Sequence, residues 1–389
     1  MQIIPRIAAF ADDLVAWRHD IHAHPELGFE ESRTSDLVAE KLAAFGIEVH
    51  RGIGKTGVVG VLKAGTSPRT IGLRADMDAL PIQEENEFAY RSQNNGRMHA
   101  CGHDGHTTML LGAARYLAET RRFDGTVHFI FQPAEEGLGG AEAMLRDGLF
   151  TRFPCDAIFG MHNRPHLAEG RFAIRSGPMM AGGGFFDIRV TGRGAHGARP
   201  EAGVDPVIVA CHIATALQTI VSRNVAPVDT AVLSVTQIHA GEAYNVIPPE
   251  AVLRGTARAF ATATFDLIEN NMRRIATGVA SGFGASAEVD FRRNFLPLVN
   301  DAAEARFIAD TAAELVGPER VNREGGLVMA SEDFAAMLAQ RPGAYIQIGN
   351  GDRPGGCEVH NPGYDFNDAI LPLGASLFAR LVERRLAPH

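Results

Sequence analysis

The chain has 389 residues, 46% hydrophobic and 21% charged, a balance that excludes a disordered polymer and makes two domains the default organisation. Lys and Arg number 37 against 46 Asp and Glu, a net charge of −9 with the basic residues scattered, which argues against a nucleic-acid partner. Cys101, Cys155, Cys211 and Cys357 are too few for a disulfide framework, and Asp12, Asp13, Arg18 and His19 interrupt the apolar N-terminal residues, so neither a signal peptide nor a membrane partner is expected and a cytoplasmic location is.

The spacing of Ile7, Phe10, Ala11, Leu14 and Val15 predicts a helix over 7–18, and a second follows at 35–45. Between them His19, His22 and His24 crowd ahead of Pro25. Because Pro25 and Gly28 mark a turn, these histidines are read as local hydrogen-bond donors and not as metal ligands. Strands are predicted at 58–62 and 70–73, the second running out into Arg74-Ala75-Asp76-Met77-Asp78. The stretch Met98 to His106 then places three His, a Cys and an Asp in nine residues. Thiolate and imidazole suit zinc-like ions, and Gly102 lets Cys101 and His103 face one point. Alone, a polar turn around a buried cysteine would account for it equally well.

A helix follows at 107–119, a strand at 126–131 ending in Gln132-Pro133-Ala134-Glu135-Glu136-Gly137, and a strand at 156–161 ending in His162. This alternation predicts the α/β class, a mostly parallel sheet covered on both faces. In such sheets functional groups gather beyond the carboxyl ends of the strands, where Asp76, Glu135, Glu136 and His162 fall. From 183 the rhythm changes: strand 185–191, helix 206–221, strands 230–238 and 251–260, helix 264–281, strand 286–291. That reads as an inserted α+β unit of ferredoxin-like type, two helices on a four-stranded antiparallel sheet. The α/β pattern resumes with a helix at 303–315, a helix capped by Ser331 that runs through Phe334 and Met337, and a strand at 344–348. A Gly-rich loop, 349–356, delivers Cys357, His360 and Asn361 before a closing helix at 371–386. The expected domains are 1–182 with 295–389, and 183–294.

In this order the motifs His19-Asp20-Ile21-His22-Ala23-His24-Pro25-Glu26-Leu27, Arg74-Ala75-Asp76-Met77-Asp78-Ala79-Leu80, Cys101-Gly102-His103-Asp104-Gly105-His106, Gln132-Pro133-Ala134-Glu135-Glu136-Gly137, Gly194-Ala195-His196-Gly197, Tyr244-Asn245-Val246-Ile247-Pro248, Ser331-Glu332-Asp333-Phe334 and His360-Asn361-Pro362 span the chain. It resembles the two-metal amidohydrolases that include aminoacylases, hippurate hydrolases and indole-acetyl-amino-acid hydrolases. The resemblance implies a metal-binding catalytic domain made of both chain ends, with the insertion as lid and dimerisation domain of a homodimer. It implies two divalent ions per subunit, held by Cys101, His103, Glu136, His162 and His360, with Glu135 as general base. Arg74 stands where the wider family has the His of a His-x-Asp motif, and Cys101 where it has a bridging Asp. The division of ligands between the ions is therefore open, and Asp76 is expected to orient a ligand by hydrogen bonding.

The reaction so implied is amide hydrolysis of an N-acyl amino acid by metal-activated water. His196 would reach in from the partner subunit to stabilise the oxyanion; a solvated turn between Gly194 and Gly197 is its other account. Asn245 and Arg258 would bind the substrate carboxylate, unless Arg258 is an arginine facing solvent at a strand end. Gly182, Gly183 and Gly184 would form the lid hinge. Zinc, manganese, cobalt and nickel all suit the donor set. A dipeptidase or metallocarboxypeptidase with the same machinery is the alternative enzyme, and a non-catalytic metal-dependent binding protein the alternative class.

Overall fold

The runs Thr70–Asp76, Gly125–Gln132, Ala157–Pro165 and Gly343–Gly351 have almost no solvent-facing position, as strands covered on both faces require. In the computed structural model, which describes residues 2–352 and 357–388, the chain divides into two units, and these four strands are the parallel centre of the sheet in the first. That unit comprises Met1–Met179, Val299–Gly326 and Asp333–His389. The sheet has eight strands in the order Glu48–Ile53, Gly57–Ala64, Gly125–Gln132, Thr70–Asp76, Ala157–Pro165, Gly343–Gly351, Phe172–Ala173, Val321–Asn322. Gly57–Ala64 runs antiparallel to Gly125–Gln132, and Phe172–Ala173 antiparallel to Gly343–Gly351, so parallel pairing is confined to the buried interior and the short outer pair. Leu73, Phe129, Phe159 and Ile346 of the strands share one core with Leu110, Ala114 and Leu117 of the helix His103–Thr120 and with Leu377 and Phe378 of the closing helix Leu371–Arg385.

The second unit, Met180–Leu298 with Leu327–Glu332, is an antiparallel sheet ordered Ala231–Ala240, Glu250–Ala259, Gly182–Thr191, Ser286–Phe295. Alternate residues of Glu250–Ala259 are buried, the period-2 signature of a sheet covered on one side. Helices Pro206–Thr219 and Thr262–Gly282 cover it: Val209, Ile213 and Leu217 of one and Phe265, Ile268 and Met272 of the other meet Phe186, Ile188, Val190 and Leu253. Asp205 caps the first helix through Val207 N–H, ahead of Pro206 at its first position. The stretch Pro206–Asn224 is long and apolar enough to cross a membrane by composition, but its buried side is spent on this unit's own sheet.

Four expectations change. The first helix is two, Pro5–Ala8 and Ala11–Ala23, because Phe10 leaves helical geometry and buries its ring beneath the Arg115 guanidinium. His19 and His22 are not local donors: the helix carries them to Asp368 (2.7 Å) and to Asp104 (2.7 Å) and Glu84 (3.1 Å). Ser331 caps nothing; the short helix Phe334–Leu338 starts at Asp333, and the Ser331 hydroxyl accepts from Arg258. Gly182, Gly183 and Gly184, expected in a hinge, are buried residues of the strand Gly182–Thr191, with Gly183 and Gly184 paired on both sides. Residues 353–356 of the Gly-rich loop lie outside the described residues.

Arg18 and His22 lie on one helix and share Asp104; Arg18 also pairs with Asp365 (2.7 Å). Burial alone would lower His22, but its bonds to Asp104 and Glu84 outweigh it and raise it to about 9. A group raised in the folded state contributes stability that is complete below its unfolded value, near 6.5, and is lost as the pH climbs through about 9. Urea unfolding at pH 6.5 and pH 9 should therefore show a loss of stability on the alkaline side, and His22→Gln should shrink that difference by removing the proton.

Candidate metal centre

The candidate ligands of the first unit lie toward the carboxyl ends of the central strands, in the segments that follow them, or at the start of a helix. Asp76 ends its strand; Glu135 and Glu136 follow Gly125–Gln132; His162 lies in the second half of Ala157–Pro165; His360 comes after Gly343–Gly351. Cys101 and His103 flank Gly102, the residue before the buried helix, whose φ of 89° is left-handed. A Cβ at Gly102 would stand 2.3 Å from Asn163 Oδ1 and 2.9 Å from the Tyr364 hydroxyl, so only glycine permits this approach.

The ligand atoms of Cys101, His103 and His162 lie within 4.8 Å of one another, as do those of Cys101, Glu136 and His360, and those of His103, Glu135 and Glu136. The groups overlap: Cys101, His103 and Glu136 each belong to two of the three, so this one cluster of donors could serve more than one ion. His162 donates from Nδ1 to the Asn163 carbonyl (2.6 Å), which turns the Nε2 lone pair toward Cys101 Sγ at 3.4 Å. His360 Nε2 is 3.2 Å from Glu136 Oε1.

Asp76, expected to orient a ligand, places its two oxygens on His106 Nδ1 (2.6 Å) and the Arg74 guanidinium (2.6 Å), and stays 3.9 Å from His103 Nε2. The bond to His103 Nδ1 is made by Asp78 instead (3.2 Å), whose other oxygen accepts the Glu136 N–H (2.9 Å). Asp78 thus fixes two candidate ligands at once. Its signal was present, a second Asp two residues after Asp76 where the chain leaves the strand. His106 was also overlooked, although it follows His103 by three on one helical face.

The donors fit a cation. Among the described residues, buried His103 Nε2 and Glu136 Oε1 make no hydrogen bond of good geometry, although His360 Nε2 lies 3.2 Å from the latter. Burial would lower His103, yet Asp76, Asp78 and Glu136 overcome it and raise it to about 10. Burial also pushes the Cys101 thiol well above its ordinary value, and Glu136 and Glu135 push it further. Both shifts report excess negative potential in a dry pocket, which divalent charge would neutralise while turning Cys101 into a thiolate ligand. Mixed sulfur, nitrogen and oxygen donors suit a borderline ion.

The remaining expected residues fall in the second unit. Ala195–His196 pairs antiparallel with Val246–Ile247, which sets exposed His196 beside Asn245, whose carbonyl accepts the Gly197 N–H (2.7 Å). Arg258 is half-buried, lies opposite Gly183, and meets no carboxylate among the described residues; burial alone lowers it. A Cβ at Gly183 would fall 2.7 Å from its guanidinium.

If Asp78 holds His103 and Glu136 in place, Asp78→Ala should weaken divalent-metal affinity by about 10- to 100-fold while leaving the circular-dichroism spectrum unchanged. Competition with a chromogenic chelator measures this, and unaltered affinity would refute the assignment.

Residues 72–384 match the family described as Peptidase family M20/M25/M40. Over 388 residues the chain is 44% identical to the hippurate hydrolase of Campylobacter jejuni, covering 99% of this chain and 100% of that one. It is 38% identical over 376 residues to thermostable carboxypeptidase 2 of Saccharolobus solfataricus, covering 95% and 94%. The crystal structure of the Bacillus subtilis YXEP protein, described as a dinuclear metal binding peptidase from the M20 family, superposes with a TM-score of 0.86 at 34% identity over 97% of this chain and 99% of that one. With the match spanning most of its length, this chain belongs to peptidase family M20/M25/M40.

Proposed function

We propose that this chain is a metal-dependent amidohydrolase that cleaves the amide bond of N-acyl amino acids. The observation that carries the reading is the pair Glu135 and Glu136: adjacent in sequence, they enter the same group with His103, while only Glu136 also joins Cys101 and His360. Cys101, His103, Glu136, His162 and His360 would hold two divalent ions, which when bound supply Lewis acidity toward water and the scissile carbonyl. Glu135 would accept the proton of the attacking water and return it to the departing nitrogen. Hippurate is itself an N-acyl amino acid, and the resemblance to a hippurate hydrolase supports that substrate class.

Arg258, charged and lacking a carboxylate partner among the described residues, suits the free carboxylate that every N-acyl amino acid carries, with Asn245 adding a hydrogen bond. His196 is assigned the oxyanion, supplied across a homodimer; the insertion would act as lid and dimerisation domain. Four free cysteines fit a reducing, cytoplasmic compartment. The ion is placed among zinc, manganese, cobalt and nickel.

A panel of N-acetyl, N-benzoyl and indole-acetyl amino acids with dipeptides, assayed in chelator-stripped and metal-reloaded protein, tests the reading. Metal-restored turnover of acylated amino acids above dipeptides supports it, and turnover of dipeptides alone replaces it with a peptidase. Glu135→Gln should retain metal yet lose at least about a hundredfold in kcat, the cost of a missing general base, whereas Glu136→Gln should lose metal. Elemental analysis that found the reverse would swap the two roles.

Loss of one oxyanion donor costs about 3 to 4 kcal/mol in the transition state, so His196→Ala should lower kcat strongly at unchanged metal content. Inactive Glu135→Gln and His196→Ala subunits, dissociated and reassociated together, should regain activity if His196 acts across the dimer. Confirmed heterodimers without activity would place His196 outside the neighbouring site.

A further inference from the structure

Ala134, the residue before the assigned general base, is a buried non-glycine residue with φ of 52°. Side chains seldom occupy this left-handed region, and where one does, surrounding contacts must hold it there. Those contacts can be named. The Ala134 N–H donates to Glu31 Oε1 at 2.8 Å, and its carbonyl accepts the Gly140 N–H at 3.0 Å. A Cβ at Gly140 would stand 1.6 Å from the Pro133 carbonyl oxygen, so the loop closes tightly on itself. Glu31 is fully buried, belongs to no candidate metal group, and its second oxygen takes the Thr56 hydroxyl at 2.5 Å.

We propose that Glu31 is a positioning residue for Glu135, holding Ala134 in the left-handed conformation that turns the chain into the Glu135-Glu136 pair. The Glu136 N–H is already tied to Asp78, and the Ala141 N–H to Asp333 Oδ2 at 2.9 Å. Without Glu31, the backbone on the near side of Glu135 would lose the side-chain acceptor that holds the Ala134 N–H, while the far side stayed anchored. Ala134 would then relax toward negative φ, and Glu135 would swing relative to ligands that do not move. What Ala134 requires is an acceptor of the right reach, not a negative charge: an amide oxygen at the same place would serve, and a carboxylate one methylene shorter would not.

This rests on Glu135 being the general base of the proposed hydrolysis, so the test has an arm that needs no activity. Hydrogen–deuterium exchange of the metal-loaded protein, read on peptides spanning residues 132–141, should show the Ala134 amide protected in the wild type and in Glu31→Gln but exchanging faster in Glu31→Asp. In steady-state assays Glu31→Gln should keep kcat within about threefold, while Glu31→Asp should lose at least about tenfold in kcat with KM and metal content little changed, as small misplacements of a reacting group do. Ala134→Gly, which makes left-handed geometry free of strain, should restore part of the kcat lost in Glu31→Asp, a rescue that a merely structural role would not show. Equal exchange in all three proteins removes the clamp. Lost protection with unaltered kcat, or Glu31→Gln as slow as Glu31→Asp, overturns the positioning role. A wild type that hydrolyses no acylated amino acid or dipeptide would instead defeat the functional reading, with the exchange result still deciding whether the clamp exists.

Discussion

At the carboxyl edge of the parallel sheet Asp76 and Glu135 lie out of water beside Glu136, and a buried carboxylate persists only where its charge is compensated. Part of the compensation is built in. Arg74, fully buried, bonds Gln132 (2.8 Å) as well as Asp76, and reaches Asp333 at 3.3 Å. His106 donates to Asp76 from another side, and His103, Arg74 and His106 together outweigh burial and hold Asp76 well below the usual carboxylate range. The rest of the charge is left facing His103, Cys101 and one another. The need for a cation is thus a property of the arrangement, present before any ion is considered.

A parallel sheet suits this demand because its strands end together. Successive strands deliver Asp76, the 135–136 pair and His162 to one rim, and Gly343–Gly351, inserted between Ala157–Pro165 and Phe172–Ala173, leads the chain to His360. Behind the rim a further set of acids, Glu31, Asp78, Asp104 and Asp333, spends its oxygens on backbone N–H groups and on the side chains of His22, His103 and Gln132. Acids nearest the ions would meet charge, while those behind them fix the geometry with which it is met.

Much of this was legible in the sequence, for physical reasons that differ from element to element. Strands without polar interruption and a helix of continuous apolar character pointed to the α/β unit, and the change of element rhythm after 183 to a second one, which in the structure also takes in Leu327–Glu332. Candidate ligands were legible because Cys, His and Glu cluster in short motifs. Long-range partners were not. His22 looks like a turn residue until the fold brings Asp104 to it, Ser331 looks like a cap until Arg258 is found beside it, and three glycines look like a hinge when they are strand residues, one of which, Gly183, makes room for Arg258. Glu31 had no local signature at all, since its partners Thr56 and Ala134 are 25 and 103 residues away.

The first unit is assembled from both ends of the chain, whereas the second is nearly continuous. During synthesis from the N-terminus, Cys101, His103, Glu136 and His162 therefore emerge long before His360, and before the strand Gly343–Gly351 that fills the gap in the sheet. A nascent chain stalled after residue 300 would expose the flank of Ala157–Pro165 and an incomplete set of donors, while the inserted unit already had every strand it needs. Domains generally fold as units as they leave the ribosome, so the middle of this protein can be finished first. A protein truncated before Gly343–Gly351 would be left with an open flank on Ala157–Pro165 and without His360, one of the proposed ligands.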